Sequence, residues 1–146
     1  MESKVVNTPQ LVNKERIIGF LEKQHFMKLM KFRLDKIEYG LVEGRLDLEQ
    51  MHTQQHGMVH GGVTATVADI VAGFAAYTMA EDYQNIVTVE LKISYLNPGM
   101  GKQLHAIGTV LKRGSKLYFC ESEVYSIDGD NIMLIAKATA TMAIIW

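Results

Sequence analysis

With a single cysteine, Cys120, this chain cannot form an internal disulfide. It also lacks a surplus of either charge: 15 Lys and Arg stand against 16 Asp and Glu, leaving a net charge of −1. No global positive field favours nucleic acid, so an anionic ligand would need a local basic patch. Met1 to Gln10 is polar and has none of the apolar core of a secretory signal, which makes a reducing cytoplasm the expected location. No repeat, low-complexity tract or linker interrupts the 146 residues, a length that suits one domain, 1–146. A chain of this size buries roughly 68–70% of its unfolded surface, enough for a core without a disulfide or metal staple.

One long apolar run is present, from Gly61 to Met79, about the length a bilayer requires. Asp69 stands at its centre, where a carboxylate costs roughly 2.5–3.5 kcal/mol on insertion scales. Glycines open the run and small Ala and Thr residues fill it, so it reads as a helix buried in a protein core, with no membrane partner.

Periodicity organises the rest. Thr8-Pro9 signals a helix start, and Leu11, Ile17, Ile18, Leu21, Phe26, Leu29 and Met30 recur near helical spacing. One or two amphipathic helices therefore end near Lys31, an N-terminal segment (1–31) packed on the remainder. Two strand-like runs follow; in the second, Val42, Gly44, Leu46 and Leu48 alternate with polar residues. After a polar loop, Gln50 to Gly57, comes the apolar helix, and then the period stays at two. Val87, Val89, Leu91, Ile93 and Tyr95 alternate with Thr88, Glu90, Lys92 and Ser94 as far as Asn97-Pro98-Gly99. Gln103 to Arg113 meets Lys116 to Ile127 across Gly114-Ser115, a type II′ signal, and the next turn, at Asp128-Gly129, reads as type I′. In the last run Ile132, Leu134, Ala136, Ala138, Ala140, Met142 and Ile144 form one face. Tight hairpins make the sheet antiparallel. A helix apolar on nearly all sides needs cover on all sides, from a curved sheet and from a second subunit. That is an α+β layout, the hotdog fold, with an antiparallel sheet wrapped around a central helix.

The segment opening that helix, Met51 to Gly62, carries the most chemistry. Gly61 and Gly62 leave backbone N–H groups bare at the positive end of a helix dipole, which suits a polarised carbonyl or developing oxyanion. They would equally permit a tight loop-to-helix turn. Asp69 is the only charged residue from Gly61 to Ala80, and an ionised carboxylate in apolar surroundings is costly unless paired. It is a general-base or nucleophile candidate, or else a buried aspartate bonded to backbone donors or a facing lysine. Gly61 and Asp69 are separated by roughly 12 Å along a helix at ~1.5 Å per residue. If both act on one carbonyl they must come from different subunits, giving a homo-oligomer with sites at a two-fold interface.

The run Gln54-Gln55-His56-Gly57-Met58-Val59-His60-Gly61-Gly62, with Asp69 beyond it and Ile93-Ser94-Tyr95-Leu96-Asn97-Pro98 further on, resembles the hotdog thioesterases of the phenylacetate-degradation type. The matches span Met51 to Trp146. The resemblance implies a catalytic base or nucleophile at Asp69, a carbonyl-polarising N–H at Gly61, an orienting amide at Gln54 and a water-holding hydroxyl at Thr88. His60 and Gly62, at the same turn, are expected to contact substrate. It also implies that the nucleotide end of an acyl-CoA lies near the hairpin Lys112-Arg113-Gly114-Ser115-Lys116, whose cations and backbone donors suit phosphates, although a charged hairpin tip is ordinary.

His52, His56 and His60 recur every four residues, but the glycines argue against a helix there and no carboxylate or cysteine completes a metal set. Cys120, in an alternating strand, reads as structural. The nine methionines fit an adaptable pocket wall or ordinary core gaps. The expected activity is hydrolysis of an acyl-CoA thioester with no cofactor beyond the CoA of the substrate itself. Two rivals are a hotdog hydratase, which would use His60, and a non-catalytic acyl-CoA-binding regulator, which would not need Asp69.

Overall fold

The computed structural model describes residues 11–146. The helix start expected at Thr8-Pro9 lies outside them. Within them Asn13 caps helix α1 (Lys14–Lys23) by accepting the Arg16 N–H. Helix α2 (His25–Met30) follows almost at once and stops at Lys31, whose left-handed φ of 62° lets its N–H close onto the Met27 and Lys28 carbonyls. Ile17, Met27 and Met30 bury their side chains in the main core, which fastens both short helices to the rest of the chain.

Strands β1 (Arg33–Glu38) and β2 (Leu41–Asp47) form a hairpin, and β2 buries Val42, Gly44 and Leu46 as its alternation predicts. Helix α3 (Gly61–Tyr77) comes next, before β3 (Asn85–Tyr95), β4 (Gln103–Arg113), β5 (Leu117–Asp128) and β6 (Asn131–Ile145). All six strands pair antiparallel in the order β1-β2-β4-β5-β6-β3, so β3 crosses to the far edge, beside β6. The sheet wraps α3, and Val67, Ala68, Val71 and Ala75 sit with Leu46, Leu104, Ala106 and Val124 in the centre of the core. On α3 the stripe of Thr66, Asp69, Ile70, Gly73 and Tyr77 stays only half-buried. Among the described residues no helix is long and apolar enough to cross a membrane.

Two β-bulges change the faces that strict alternation predicts. In β3 the pairing slips between Thr88 and Glu90, so Ile86 and Thr88 share the inner face with Leu91 and Ile93, while Val87 and Val89 are 42% and 58% exposed. In β6 the slip between Ala136 and Leu134 buries Ile135, and Ile132 turns outward. The turns differ as well. Asp128 pairs with Asn131, and of the two residues between them only Gly129 has a positive φ, 59°, the type II′ rather than the type I′ pattern. At the other hairpin the Gly114 N–H donates to the Leu117 carbonyl and Gly114 has no positive φ, so the turn centres on Ser115-Lys116.

Candidate active site

The N-terminus of α3 is held from several directions. His60 caps it, its Nδ1 accepting the Gly62 N–H at 2.9 Å, while the Tyr95 hydroxyl donates to the Gly61 carbonyl at 2.9 Å. The Gly62 N–H is thereby occupied, whereas the Gly61 N–H has no partner among the described residues. That leaves one backbone donor aimed out of the helix end, where the dipole reinforces it.

The loop before the helix folds back on itself to present Gln54. The Thr53–Val59 bridge closes it, the Gln54 N–H donates to the Met58 carbonyl at 2.8 Å, and the Gly57 N–H donates to the Gln54 carbonyl. The Gln54 Oε1 accepts the His56 N–H. Because a backbone N–H can only donate, this bond fixes the amide orientation and leaves the side-chain NH₂ as a donor. Gln54, Gly61, Tyr95 and Asn97 line one cavity of about 370 Å³.

Asp69 lies elsewhere. Its Oδ1 accepts the Thr88 hydroxyl at 2.7 Å, and both residues line a separate cavity of about 230 Å³ with Gln24, Ile70, Gly73, Phe74, Tyr77 and Ile86. The bulge in β3 puts Thr88 on the inner face, opposite Met142, and so within reach of the helix. A second anchor comes from β5, where the buried Ser122 hydroxyl donates to the Ala68 carbonyl at 2.7 Å and pins the turn that carries Asp69. Each chain thus brings Gln54 to Gly61 and Thr88 to Asp69, while the two pairs open into different cavities.

The hairpin residues sit at the other end of α3. Arg113 donates through Nε to the Tyr118 hydroxyl at 2.9 Å and reaches Glu81 at 3.4 Å, and Tyr118 in turn donates to the Met79 carbonyl. The bond to Tyr118 pushes the guanidinium pKa further up. Lys112, Ser115 and Lys116 are exposed, and Gly114 is half-buried. The three histidines serve different ends. His52 is fully buried, with Nδ1 accepting the Glu49 N–H and Nε2 facing the Met30 carbonyl at 3.0 Å, while His56 is exposed and His60 caps α3. Cys120 is buried, and burial pushes its thiol up to about 11.

Two residues in this arrangement were not assigned roles from sequence. Ser122 had a readable signal, a hydroxyl on a strand face otherwise aimed at an apolar helix, where it must find a polar partner. Tyr95 stood within the Ile93–Pro98 motif that carries the resemblance, but nothing there pointed to its bond with Gly61.

A helix wrapped by a six-stranded antiparallel sheet, with an uncapped N–H at its start and an acid on its open stripe, defines a hotdog-fold protein. The sequence pattern of the thioesterase superfamily matches residues 56–133, and the chain belongs to that superfamily. It is 25% identical over 143 residues to the medium/long-chain acyl-CoA thioesterase YigI of Salmonella typhimurium, covering 86% of this chain and 90% of that one. Acyl-coenzyme A thioesterase 13 of Pongo abelii is 29% identical over 108 residues, 73% of this chain and 76% of that protein. A thioesterase family protein from Silicibacter pomeroyi superposes with a TM-score of 0.88 at 30% identity, over 90% of this chain and 97% of that one. The PaaI protein of the E. coli phenylacetic acid degradation operon shares the fold, with a TM-score of 0.81 at 16% identity over 91% and 93% of the two chains. The protein is a thioester hydrolase.

Proposed function

We propose that the substrate is an acyl-CoA and that two copies of the chain build each site together. The thioester oxygen lies on the Gly61 N–H and the Gln54 amide of one copy, at the positive end of α3. Asp69 of the other copy activates a water or attacks the carbonyl itself, with Thr88 holding the carboxylate or the water. Overall, water supplies a new C–O bond to the acyl carbon, the C–S bond breaks, and CoA leaves as the thiol carrying the second proton of that water. The two N–H donors stabilise charge as it develops on oxygen, an effect worth about 2.7–4 kcal/mol per donor in comparable sites.

The observation that carries this reading is the separation of the two pairs. Asp69 with Thr88 and Gly61 with Gln54 open into different cavities of one chain, although each supplies only half of a hydrolytic site. Asp69 also lies on the stripe of α3 that the chain's own sheet leaves half-buried. The names of the relatives, acyl-CoA thioesterases of bacterial and animal origin, support the substrate class. His60 and Gly62 would contact the thioester end, and the CoA phosphates would meet the Lys112–Ser115 hairpin through Lys112 and the turn backbone, since Arg113 is committed to Tyr118 and Glu81. The chemistry asks for no metal or cofactor beyond the substrate's own CoA. Chain 1–146 acts as one domain, in the cytoplasm.

The test is thiol release from a panel of acyl-CoAs by the wild type and by Asp69→Asn. The variant should lose at least a hundredfold in kcat while keeping its thermal transition, and near-normal turnover would reject the role of Asp69.

A further inference from the structure

Tyr95 holds the first turn of α3. Beyond that turn, among the described residues, the sheet is hydrogen-bonded to the α3 backbone at one point, the Ala68 carbonyl, which accepts the Ser122 hydroxyl at 2.7 Å. The face that α3 turns to the sheet is otherwise built of Val63, Val67, Val71, Ala72 and Ala75, apolar side chains whose burial is favourable but not directional. Such contacts fix the distance of the helix from the sheet better than its setting along its own axis.

The bond falls where helix and sheet lie closest. Ser122 on β5 stands opposite Gly108 on β4 and, on its other side, opposite Ala138 on β6. A Cβ built at Gly108 would lie 2.3 Å from the Val71 carbonyl carbon and oxygen and 2.6 Å from the Ala72 nitrogen, so glycine is what lets β4 meet the helix backbone there. Gly108, Ser122 and Ala138 thus make a row of small residues under the turn Ala68–Ala72, and Ser122 is the member with a polar side chain. The same turn carries Asp69 on the half-buried stripe.

The carbonyl does not need the serine. In an α-helix the Ala68 oxygen already accepts the Ala72 N–H, and the hydroxyl takes its second lone pair. Replacing Ser122 by alanine would therefore leave no polar group unpaired, and the chief effect of the hydroxyl is on where the helix rests.

We infer that Ser122 is a positioning residue for hydrolysis: through Ala68 it sets α3 on the sheet, and so places the Asp69 carboxylate opposite the Gly61 and Gln54 donors of the other copy. The inference rests on the role given to Asp69 above. Thr88 holds the carboxylate from β3, and Ser122 holds the backbone next to it from β5. A displacement of about 1 Å at a reacting group can cost about a hundredfold in rate, so a small movement of α3 is enough to matter.

The experiment compares Ser122→Ala, Ser122→Cys, Ser126→Ala and Asp69→Asn with the wild type, by thiol release from octanoyl-CoA and by thermal unfolding. Ser122→Ala should lose about tenfold or more in kcat, with KM changed by less than about twofold and the melting temperature lowered by a few degrees. Ser122→Cys, similar in size but a weaker donor, should fall between Ser122→Ala and the wild type, and it carries the test if the alanine variant does not fold. Ser126 is the control. It is also buried on the inner face of β5, but it accepts the Gly101 N–H and does not bond to α3. Ser126→Ala leaves that N–H without its acceptor, so it should cost as much stability or more, yet keep kcat near the wild-type value. An equal loss of kcat in Ser126→Ala would reduce Ser122 to a stabilising residue and overturn the inference.

Mixed dimers locate the defect. Ser122→Ala mixed with Gln54→Ala should regain about a quarter of wild-type activity, because half the dimers then hold one intact site. Ser122→Ala mixed with Asp69→Asn should stay at the level of the separate variants, since both damage the same half of each site. Recovery in the second mixture overturns the inference, and so does its absence in the first when Asp69→Asn with Gln54→Ala does recover. Wild-type kcat in Ser122→Ala beside an inactive Asp69→Asn overturns this inference alone. An active Asp69→Asn would instead sink the role of Asp69, and the inference with it.

Discussion

Tyr95 ties the end of β3 to the first turn of α3 through a single hydrogen bond, from its hydroxyl to the Gly61 carbonyl. Tyr95 is 55% exposed, so the bond contributes to stability at the low end of the usual range, about 0.5–1 kcal/mol. Its larger effect is on aim, since the residue it holds also carries the donor N–H. Tyr95→Phe is expected to lower the melting temperature slightly and to cut kcat several-fold with KM little changed; a drop confined to KM would show that Tyr95 binds substrate rather than positions Gly61. Asp69 was legible in the sequence because charge is so costly within an apolar helix that one carboxylate there stands out. Thr88 was reached only through a resemblance, because its bond to Asp69 joins residues 19 apart on different elements. Nothing in the sequence around Arg113 reveals that its guanidinium is held by Tyr118 and Glu81.

At the scale of elements, the cap of α3 and the bulge of β3 together decide which groups face the two cavities. His60 supplies the side-chain acceptor at the helix start, a position where losing the acceptor typically costs about 1 kcal/mol. His60→Ala should destabilise the protein by about that amount and reduce turnover, and His60→Asn, which can also accept from Gly62, should recover most of both; urea unfolding alongside thiol release would check it. An asparagine variant no better than alanine would mean the imidazole acts on substrate directly. The strands themselves were readable from alternation, because each side chain faces opposite to its neighbour. The bulges were not. An extra residue such as Val89 or Ile135 shifts the phase of everything beyond it, and its place depends on the partner strand.

For the whole molecule, the open features are an edge strand and a helix stripe. β3 is 11 residues long, pairs on one side only, and exposes Val87 and Val89, while α3 leaves Asp69 and Gly73 half-covered. Edge strands of this kind invite pairing with another chain, which fits the shared-site proposal. Mixing Asp69→Asn with Gln54→Ala provides the check. After subunit exchange half the dimers are mixed, and each holds one intact site and one doubly defective site, so about a quarter of wild-type activity should return. No recovery, with exchange verified, would place the whole site within one chain.

The sequence by itself determined the order of elements, the antiparallel sheet and the stranded acid, since these follow from local periodicity, turn chemistry and the cost of burying charge. Only the tertiary structure decided which hydroxyl meets that acid, which backbone N–H stays bare, and that Gln54 and Asp69 open into different cavities. Those outcomes depend on how strands shift phase and how elements distant in the chain come to rest against one another. No single stretch of sequence carries that information.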